Sequence, residues 1–415
     1  MTTRRLRIAV WHNLPSGGGK RALFDHVRGL IGRGHEVQIW CPEQADGEYL
    51  PLSDMAKEYR VPLDRSVLSR RFTLDSVFHD QRAMRQQLLA ARLHAEQCVA
   101  EMAKSQFDVL LANSCQYFAV PYLGRCIGLP SVLYLQEPFR PLYEARPEWP
   151  WASEKATTKT SLMARLKDWS DFQALRLQAR EERSNAAAFD RVLVNSRFSR
   201  ETIARVYALD SSVCYLGIDS DKFFPAESAG AGHIVGCGSL QSAKGVELAV
   251  KALGALPAAR RPPLIWIANQ EDPKYRKDME SLAADLHVEF AVKRMIPDSE
   301  LIRLLASAVL MIYTSQLEPF GYAPLEANAC GTPVVAVAEG GIRETIKDGE
   351  NGLLVSNRDP ATLAAAVLHI LDNNQLGNEM GLTGRRMVES DWSLQPAIDR
   401  LEGELIRVCQ NRKSN

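Results

Sequence analysis

The sequence predicts an α/β protein of two doubly wound domains, each with a parallel sheet covered by helices on both faces. Three observations carry this. Short β-branched and aromatic runs alternate with longer helical patterns from end to end. The alternation breaks off near residue 222 at a stretch of small residues and then restarts. The length, 415 residues, suits two or three domains with ample core.

The elements follow in order. Arg7 to Trp11 reads as a strand that ends in a glycine-rich turn, and Lys20 to Arg33 carries Ala22, Leu23, Val27, Leu30 and Ile31 at helical spacing. Gly32 and Gly34 stop that helix, and Glu36 to Cys41 is the next strand. Val109 to Ala112, Ser131 to Leu135 and Arg191 to Asn195 are further strands. Residues 68–104 and 155–188 read as helix. The second of these is basic and amphipathic, and suits either a solvated helix or a face that touches an anionic membrane surface. After a small-residue linker at 227–232 come strands at His233 to Cys237, Leu264 to Ala268, Val309 to Thr314 and Thr332 to Ala338. Helices are expected at Val246 to Leu253, Asp298 to Ser307, Pro324 to Cys330, Asp359 to Asp372 and Leu394 to Cys409.

Composition narrows the function. Lys+Arg and Asp+Glu are both 50, so no global field invites nucleic acid. Residues 1–225 hold 31 basic and 26 acidic side chains and the rest hold 19 and 24, a weak lean towards an anionic partner for the first half. The apolar runs fall far short of the roughly 20 residues that span a bilayer. Only Ile8 to Trp11 follow the N-terminal arginines, so no signal peptide is expected and a cytoplasmic protein is. The eight cysteines include no C-x-x-C pair and read as reduced core residues. The histidines show no H-E-x-x-H spacing, and no metal is expected.

Chemistry concentrates between Glu318 and Pro333, in the turn after a strand, where ligands of open α/β sheets bind. Gly321 permits close backbone approach and Pro324 suits a first helical turn. The free amides at that helix start favour a phosphate or diphosphate. Glu318 lies before the helix and Glu326 inside it, two carboxylates suited to sugar hydroxyls. The triplet Gly17-Gly18-Gly19 offers a second turn whose amides can crowd a ligand, without the frame of a Walker loop.

The window E-P-F-G-x-x-x-L-E-A-x-A-C-G-T-P-V-V resembles the retaining, nucleotide-sugar-dependent glycosyltransferases of family four, which have the GT-B fold. Gly340 to Ile346, Asp348 to Val355, Gly236 to Leu240 with Lys244-Gly245, Asn195 to Phe198, Gly217 to Asp219, and Gly34 to Val37 are similar to other segments of that family. The resemblance implies two Rossmann-like domains facing across a cleft. Residues 1–222 would bind the acceptor and 223–393 the nucleotide sugar, with the last helix, about 394–412, packing back on the first domain. By position, Glu326 would bind the ribose hydroxyls and Glu318 the donor sugar. Phe320, Gly321, Tyr322 and Ala323 would contact sugar and diphosphate. Lys244 would neutralise the departing diphosphate. Gly18 and Gly19 would face the donor, and Gly17 the acceptor.

Two positions depart from the family. Ser239 stands where an arginine is usual, so either Arg294, Arg197 or Arg343 supplies the second cation or stabilisation of the leaving group is weaker. Gln136 stands where histidine is usual, and keeps a hydrogen bond but not a proton. Lys20, Glu137, Arg140 and Tyr143 are the acceptor-side candidates, with Trp149-Pro150-Trp151 a further aromatic stretch. Asp219-Ser220-Asp221 spells a metal-binding D-x-D but sits at the domain boundary, where hinge capping is the better reading.

The expected function is transfer of a hexose-type sugar from a nucleoside-diphosphate sugar to an acceptor hydroxyl, in polysaccharide, glycolipid or glycoconjugate synthesis. The acceptor would be a carbohydrate, a lipid-linked molecule or a small molecule, with peripheral membrane contact in view and no cofactor. The alternatives are a non-catalytic GT-B protein that binds sugar nucleotides and partners an enzyme, or a GT-B sugar-nucleotide epimerase.

Overall fold

The computed structural model describes residues 4–64, 79–140, 162–225 and 232–412; for 79–81 and 162–168 only the backbone is described. The N-terminal sheet is built from β1 (Arg7–Asn13), β2 (Glu36–Pro42), β3 (Lys57–Val61), β4 (Val109–Cys115), β5 (Ser131–Tyr134), β6 (Arg191–Val194) and β7 (Ser212–Val213). The order is β3-β2-β1-β4-β5-β6-β7, and every pair is parallel. Helices α1 (Gly18–Gly32), α2 (His79–Met102), α3 (Leu162–Ala187) and α4 (Arg197–Tyr207) cover it. The second sheet runs β10-β9-β8-β11-β12-β13, again parallel. Its strands are β8 (His233–Cys237), β9 (Leu264–Ala268), β10 (Phe290–Arg294), β11 (Ala308–Tyr313), β12 (Val334–Val337) and β13 (Gly352–Val355). Around them lie α5 (Val246–Gly254), α6 (Pro273–Asp285), α7 (Asp298–Ala306), α8 (Tyr322–Ala329), α9 (Ile342–Thr345), α10 (Pro360–Asp372), α11 (Asn374–Asp391) and α12 (Leu394–Asn411).

Strand order reverses direction at β1/β4 in one sheet and at β8/β11 in the other. At such switch points the loops at the carboxyl ends of the strands diverge and leave a crevice. The loops after β1, β8 and β11 therefore meet in the space between the domains.

The last helix returns to the first domain. Ile398, Leu401 and Leu405 are buried against the core that also holds β1, α1 and β2. Glu402 of α12 accepts hydrogen bonds from His35 at 2.8 Å and Arg33 at 2.5 Å. The Leu6 amide donates to His35 Nδ1, so the proton shared with Glu402 sits on Nε2. Burial pushes the Glu402 carboxyl up, but these two partners outweigh it and hold it below the usual range.

Several elements lie beyond the sequence reading. Strands β3 and β10 are edge strands with several exposed or half-exposed residues, so neither shows an apolar run. Helix α6 announces itself only by Asp272, which caps the Lys274 and Tyr275 amides, and Pro273. Helix α11 carries interior glycines, which argue against a helix. Gly381 is there because α8 and α11 pack closely: a Cβ would stand 2.0 Å from the Gly331 carbonyl oxygen. Of the two long helical readings, residues 68–78 and 155–161 lie outside the described residues, as does most of the 227–232 linker. The packed face of α3 is polar: Ser170, Gln178, Glu182 and Asn185 are buried. None of the eight cysteines forms a disulfide; five are buried and three half-buried.

Leu401→Ala should cost about 2–5 kcal/mol, the range for a buried leucine whose cavity cannot collapse. Urea denaturation followed by far-UV circular dichroism would measure it. A loss below about 1 kcal/mol would mean that α12 is not part of the first domain's core.

Candidate functional site

The interdomain crevice is a cleft of about 650 Å³, within the usual range for a small-molecule site. Its donor-side wall is the turn from β11 into α8. Gly321 takes a left-handed φ of 95° and starts α8, so the first amides of that helix point into the cleft. The turn is clamped from behind by Gly340 and Gly341. A Cβ on either would stand 2.3 or 2.1 Å from the backbone oxygens of Glu318 or Pro319. From the other domain, Ser196 Oγ donates to the Pro319 carbonyl at 2.5 Å. Glu344 of α9 accepts the Arg197 and Phe198 amides at the start of α4 and the Tyr215 hydroxyl.

Glu318, Phe320, Gly321, Tyr322, Ala323 and Glu326 all line the cleft, and so do Lys244 and Ser239 from the loop after β8. Lys244 Nζ lies 2.6 Å from Glu318 Oε2, which also accepts from Ser315 Oγ at 2.6 Å. Burial pushes Glu318 up, but the Lys244 charge and hydrogen bond, Ser315 and Arg140 hold it down at about 2. Glu326 has the opposite balance. Burial drives it up to about 7 against the charge of Arg21. One carboxylate is thus ionised at any ordinary pH, and the other titrates near neutrality.

Facing them is the glycine turn. Gly17, Gly18 and Gly19 line the cleft, and a Cβ on Gly18 would stand 3.8 Å from the Tyr322 Cβ. Gln136 Nε2 donates to the Gly19 carbonyl at 3.4 Å. Gln136, Glu137 and Arg140 complete this wall, with Arg140 pairing with Glu137 at 3.1 Å and donating to the Gln316 carbonyl across the gap.

Several expectations are corrected or fall outside the described residues. Lys20 does not face the cleft. It is fully buried beneath the glycine turn, donates to the Asp46 carbonyl, and sits near His12, Cys41 and Glu58. Those three side chains approach one another as metal ligands would. However, Glu58 is already paired with Arg60 at 2.9 Å and Lys20 shares the space, so the chain's own cations balance the charge. Arg294 is 58% exposed and reaches towards Glu271 rather than the cleft. Arg343 turns back to the Gly340 carbonyl, and Arg197 is engaged at its backbone amide by Glu344 and at its side chain by the Tyr215 hydroxyl. None of these three arginines lines the cleft; Arg21 and Arg140 do. Tyr143, Trp149 and Trp151 lie outside the described residues.

Asp219 caps the turn at the boundary between the two sheets. It accepts the Lys222 amide and pairs with Arg28 at 2.6 Å.

Sequence reasoning missed Arg21, Tyr49 and Asp298, which also line the cleft. Arg21 stands two residues beyond the glycine turn, a cue available in the sequence. Its partners lie 277 and 305 positions away and left no local cue.

Comparison with known proteins is specific. A family model described as "Glycosyltransferase Family 4" matches residues 16–222, and one described as "Glycosyl transferases group 1" matches 219–387. A D-inositol 3-phosphate glycosyltransferase of Acidothermus cellulolyticus is 34% identical over 208 residues, 45% of this chain and 46% of that protein. A GDP-mannose-dependent alpha-(1-6)-phosphatidylinositol monomannoside mannosyltransferase of Mycolicibacterium smegmatis is 30% identical over 257 residues, 56% of this chain and 65% of that protein. The matches to curated relatives span about half of each protein's length. Among solved structures, sucrose-phosphate synthase from Thermosynechococcus elongatus superimposes with a TM-score of 0.72 at 20% identity, over 99% of this chain and 100% of that one. The Anabaena HepE protein in complex with UDP and glucose gives 0.69 at 17% identity, over 97% and 99%. At these identities the structural likeness shows the fold.

Lys244→Met should lower stability at pH 7 by about 1–3 kcal/mol, less than for a fully buried pair because both side chains keep some solvent contact. A carboxyl whose folded pKa is depressed stabilises the fold above its unfolded pKa and loses that effect as pH falls through the folded one. The deficit should therefore shrink as pH drops from about 4.5 towards 2. Urea titrations at several pH values would show this, and a deficit constant with pH would contradict it.

Proposed function

The chain belongs to the group 1, family-four glycosyltransferases, and we propose that it moves a hexose-type sugar from a nucleoside-diphosphate sugar to an acceptor hydroxyl with retention of configuration. The observation that carries the reading is the Lys244–Glu318 pair beside the amide-rich start of α8, facing Gly17 to Gly19 across the cleft.

In this reading the diphosphate lodges against the α8 amides and Lys244. The bond between the anomeric carbon and the phosphate oxygen lengthens, and the leaving diphosphate gains negative charge. Lys244 and the helix amides are pre-aimed at that charge and need no reorganisation as it develops. The sugar passes through an oxocarbenium-like state while Glu318, firmly ionised, accepts hydrogen bonds from its hydroxyls. The acceptor hydroxyl attacks from the same face, and a departing phosphate oxygen takes its proton. Glu326 accepts the ribose hydroxyls. The acceptor enters from the side of Gly17, Glu137 and Arg140. Charge stabilisation is assigned to Lys244 and the amides, so activity should survive chelation by EDTA.

Relatives and structural neighbours include a GDP-mannose-dependent enzyme and complexes with UDP, which supports a nucleoside-diphosphate donor without choosing the base. Leu89 and Leu93 on α2, and Trp169 and Phe172 on α3, are exposed large apolar side chains. Arg92 stands beside the first pair, and Arg176, Arg180 and Arg183 continue along α3. This surface supports an acceptor met at an anionic lipid surface. Trp169→Ala combined with Phe172→Ala should reduce co-sedimentation with phosphatidylglycerol vesicles several-fold and leave phosphatidylcholine controls unchanged. Equal binding by the double variant would remove the membrane from the account.

Thermal-shift screening of UDP, GDP and ADP and their sugars identifies the donor, since a bound ligand stabilises the native state by mass action. Chromatographic assay of donor hydrolysis and transfer then tests turnover. Lys244→Ala and Glu318→Ala should each lower turnover about 10²–10³-fold while the chain stays folded. Near-normal rates in both would overturn the assignment. Donor binding without turnover in the unaltered chain would favour the non-catalytic alternative, to which Ser239 and Gln136 already lean.

A further inference from the structure

Arg21 has no part in the donor chemistry above, yet two carboxylates of the other domain hold it. It lies in the first turn of α1, and its side chain is only 8% exposed. Both terminal nitrogens donate to Asp298 at the start of α7, at 3.1 and 2.6 Å, a fork-on-fork pair that spans the gap between domains. Its Nε lies 3.2 Å from Glu326 Oε1. That oxygen is buried and makes no hydrogen bond, so the contact is a charge pair without the alignment of a bond. The Tyr49 and Phe223 rings flank the guanidinium at 5.8 and 5.7 Å. Asp298 also pairs with Lys222, which fixes the anchor itself.

An isolated buried carboxylate would neutralise rather than stay charged. Glu326 sits in such a place, on a helix that opens onto the cleft. The one guanidinium set against it comes from the opposite domain, is oriented by a different carboxylate, and leaves the lone pairs of Oε1 unclaimed.

We propose that Arg21 is the positioning residue of the donor site: reaching across the domain gap and held by Asp298, it keeps the Glu326 carboxylate ionised and aimed at the ribose. The inference rests on reading Glu326 as the acceptor of the ribose hydroxyls. Lysine would supply the charge but not the fork that orients it.

The titratable groups facing Glu326 are Arg21 and Asp25 from α1, Asp298 from α7, Lys222 from the interdomain segment, Tyr49 from the loop after β2, Cys237 at the end of β8, and Tyr322 and Cys330 at the two ends of its own helix. Burial raises Glu326 to about 7, Arg21 and to a smaller extent Lys222 oppose that rise, and Asp298 and Asp25 add to it. Removing Arg21 therefore lifts the midpoint further, and the ionised form that accepts two hydroxyls appears only at higher pH.

The test uses the whole chain with UDP, GDP and ADP as probes, by isothermal titration calorimetry from pH 6 to 9. Arg21→Gln should bind the preferred nucleotide about tenfold more weakly at pH 6 and about fivefold at pH 7, as a midpoint raised by about one unit from about 7 requires, with the deficit closing towards pH 9. Arg21→Lys should keep the unaltered chain's pH midpoint and bind about threefold more weakly; full affinity in this variant would overturn the role of the fork even if Arg21→Gln does not fold. In a Glu326→Gln background the Arg21→Gln change should add nothing. A loss uniform across pH, or additive with Glu326→Gln, would reduce Arg21 to a structural contact. A ligand-free arm separates the two readings: the ¹³C carboxyl resonance of Glu326, identified by its absence in Glu326→Gln, should titrate at higher pH in Arg21→Gln. An unchanged midpoint overturns this inference whatever nucleotides bind. A shifted midpoint in a chain that binds no nucleoside diphosphate supports the Arg21–Glu326 coupling and overturns the donor assignment alone.

Discussion

Carboxylates buried between two domains must find cations, and in this protein the cations come largely from across the gap. Asp298 and Glu326 of the second domain take Arg21 of the first. Asp219, at the boundary, takes Arg28. Lys244 balances Glu318 from within its own domain. An uncompensated charge in such a place costs several kcal/mol, so the closed arrangement of the domains and the ionisation of the site are one problem with one solution. The parallel sheets make it soluble: both switch points open on the same crevice, and the helices that follow β1 and β11 start there with their amides inward.

The same constraint explains why two glutamates eight positions apart differ so much. Glu318 lies in a turn where a lysine, a serine and a distant arginine converge, and it stays an anion far below neutral pH. Glu326 lies one helical turn inside α8, where burial prevails against the charges of Arg21 and, more weakly, Lys222. A carboxylate that must accept hydroxyls from a sugar as charge builds nearby gains from being permanently ionised. One that grips a ribose need only be ionised when the donor arrives. The division of labour follows from where each sits relative to the helix start.

Much of the donor wall was legible in the residues themselves. The run from Glu318 to Pro333 carries its own turn chemistry, and the alternation of strand and helix placed it at the end of a strand. The glycine triplet likewise announced a close approach, and it does stand opposite Tyr322. What stayed hidden was pairing at long range. Arg21 and Asp298 are 277 positions apart and leave no local trace. The cations that line the cleft could not be chosen by proximity in sequence, and Arg294, one of the expected candidates, points outward. Edge strands and the glycine-bearing α11 escaped for a related reason: their character is set by what they pack against, not by their own periodicity.

Lys20 and Arg21 make the point most sharply. Adjacent residues on a helix project about 100° apart, so neighbours in the chain need not share a surface. Lys20 turns under the glycine loop into the pocket of His12, Cys41 and Glu58, where burial pulls its pKa down and holds His12 neutral. Arg21 turns the other way, over the gap. Reading Lys20 as an acceptor contact assumed that a charge beside a binding loop faces the ligand. Here the charge that faces the cleft is the next one along, and its first duty is to another side chain. The chain lacks an arginine at Ser239 and a histidine at Gln136, yet it keeps a guanidinium at the centre of its domain interface. Replacing a charge that touches the leaving group with a hydroxyl weakens one step of a reaction. Removing the charge that lets a buried carboxylate stay ionised would disturb the binding of the donor before any bond begins to break.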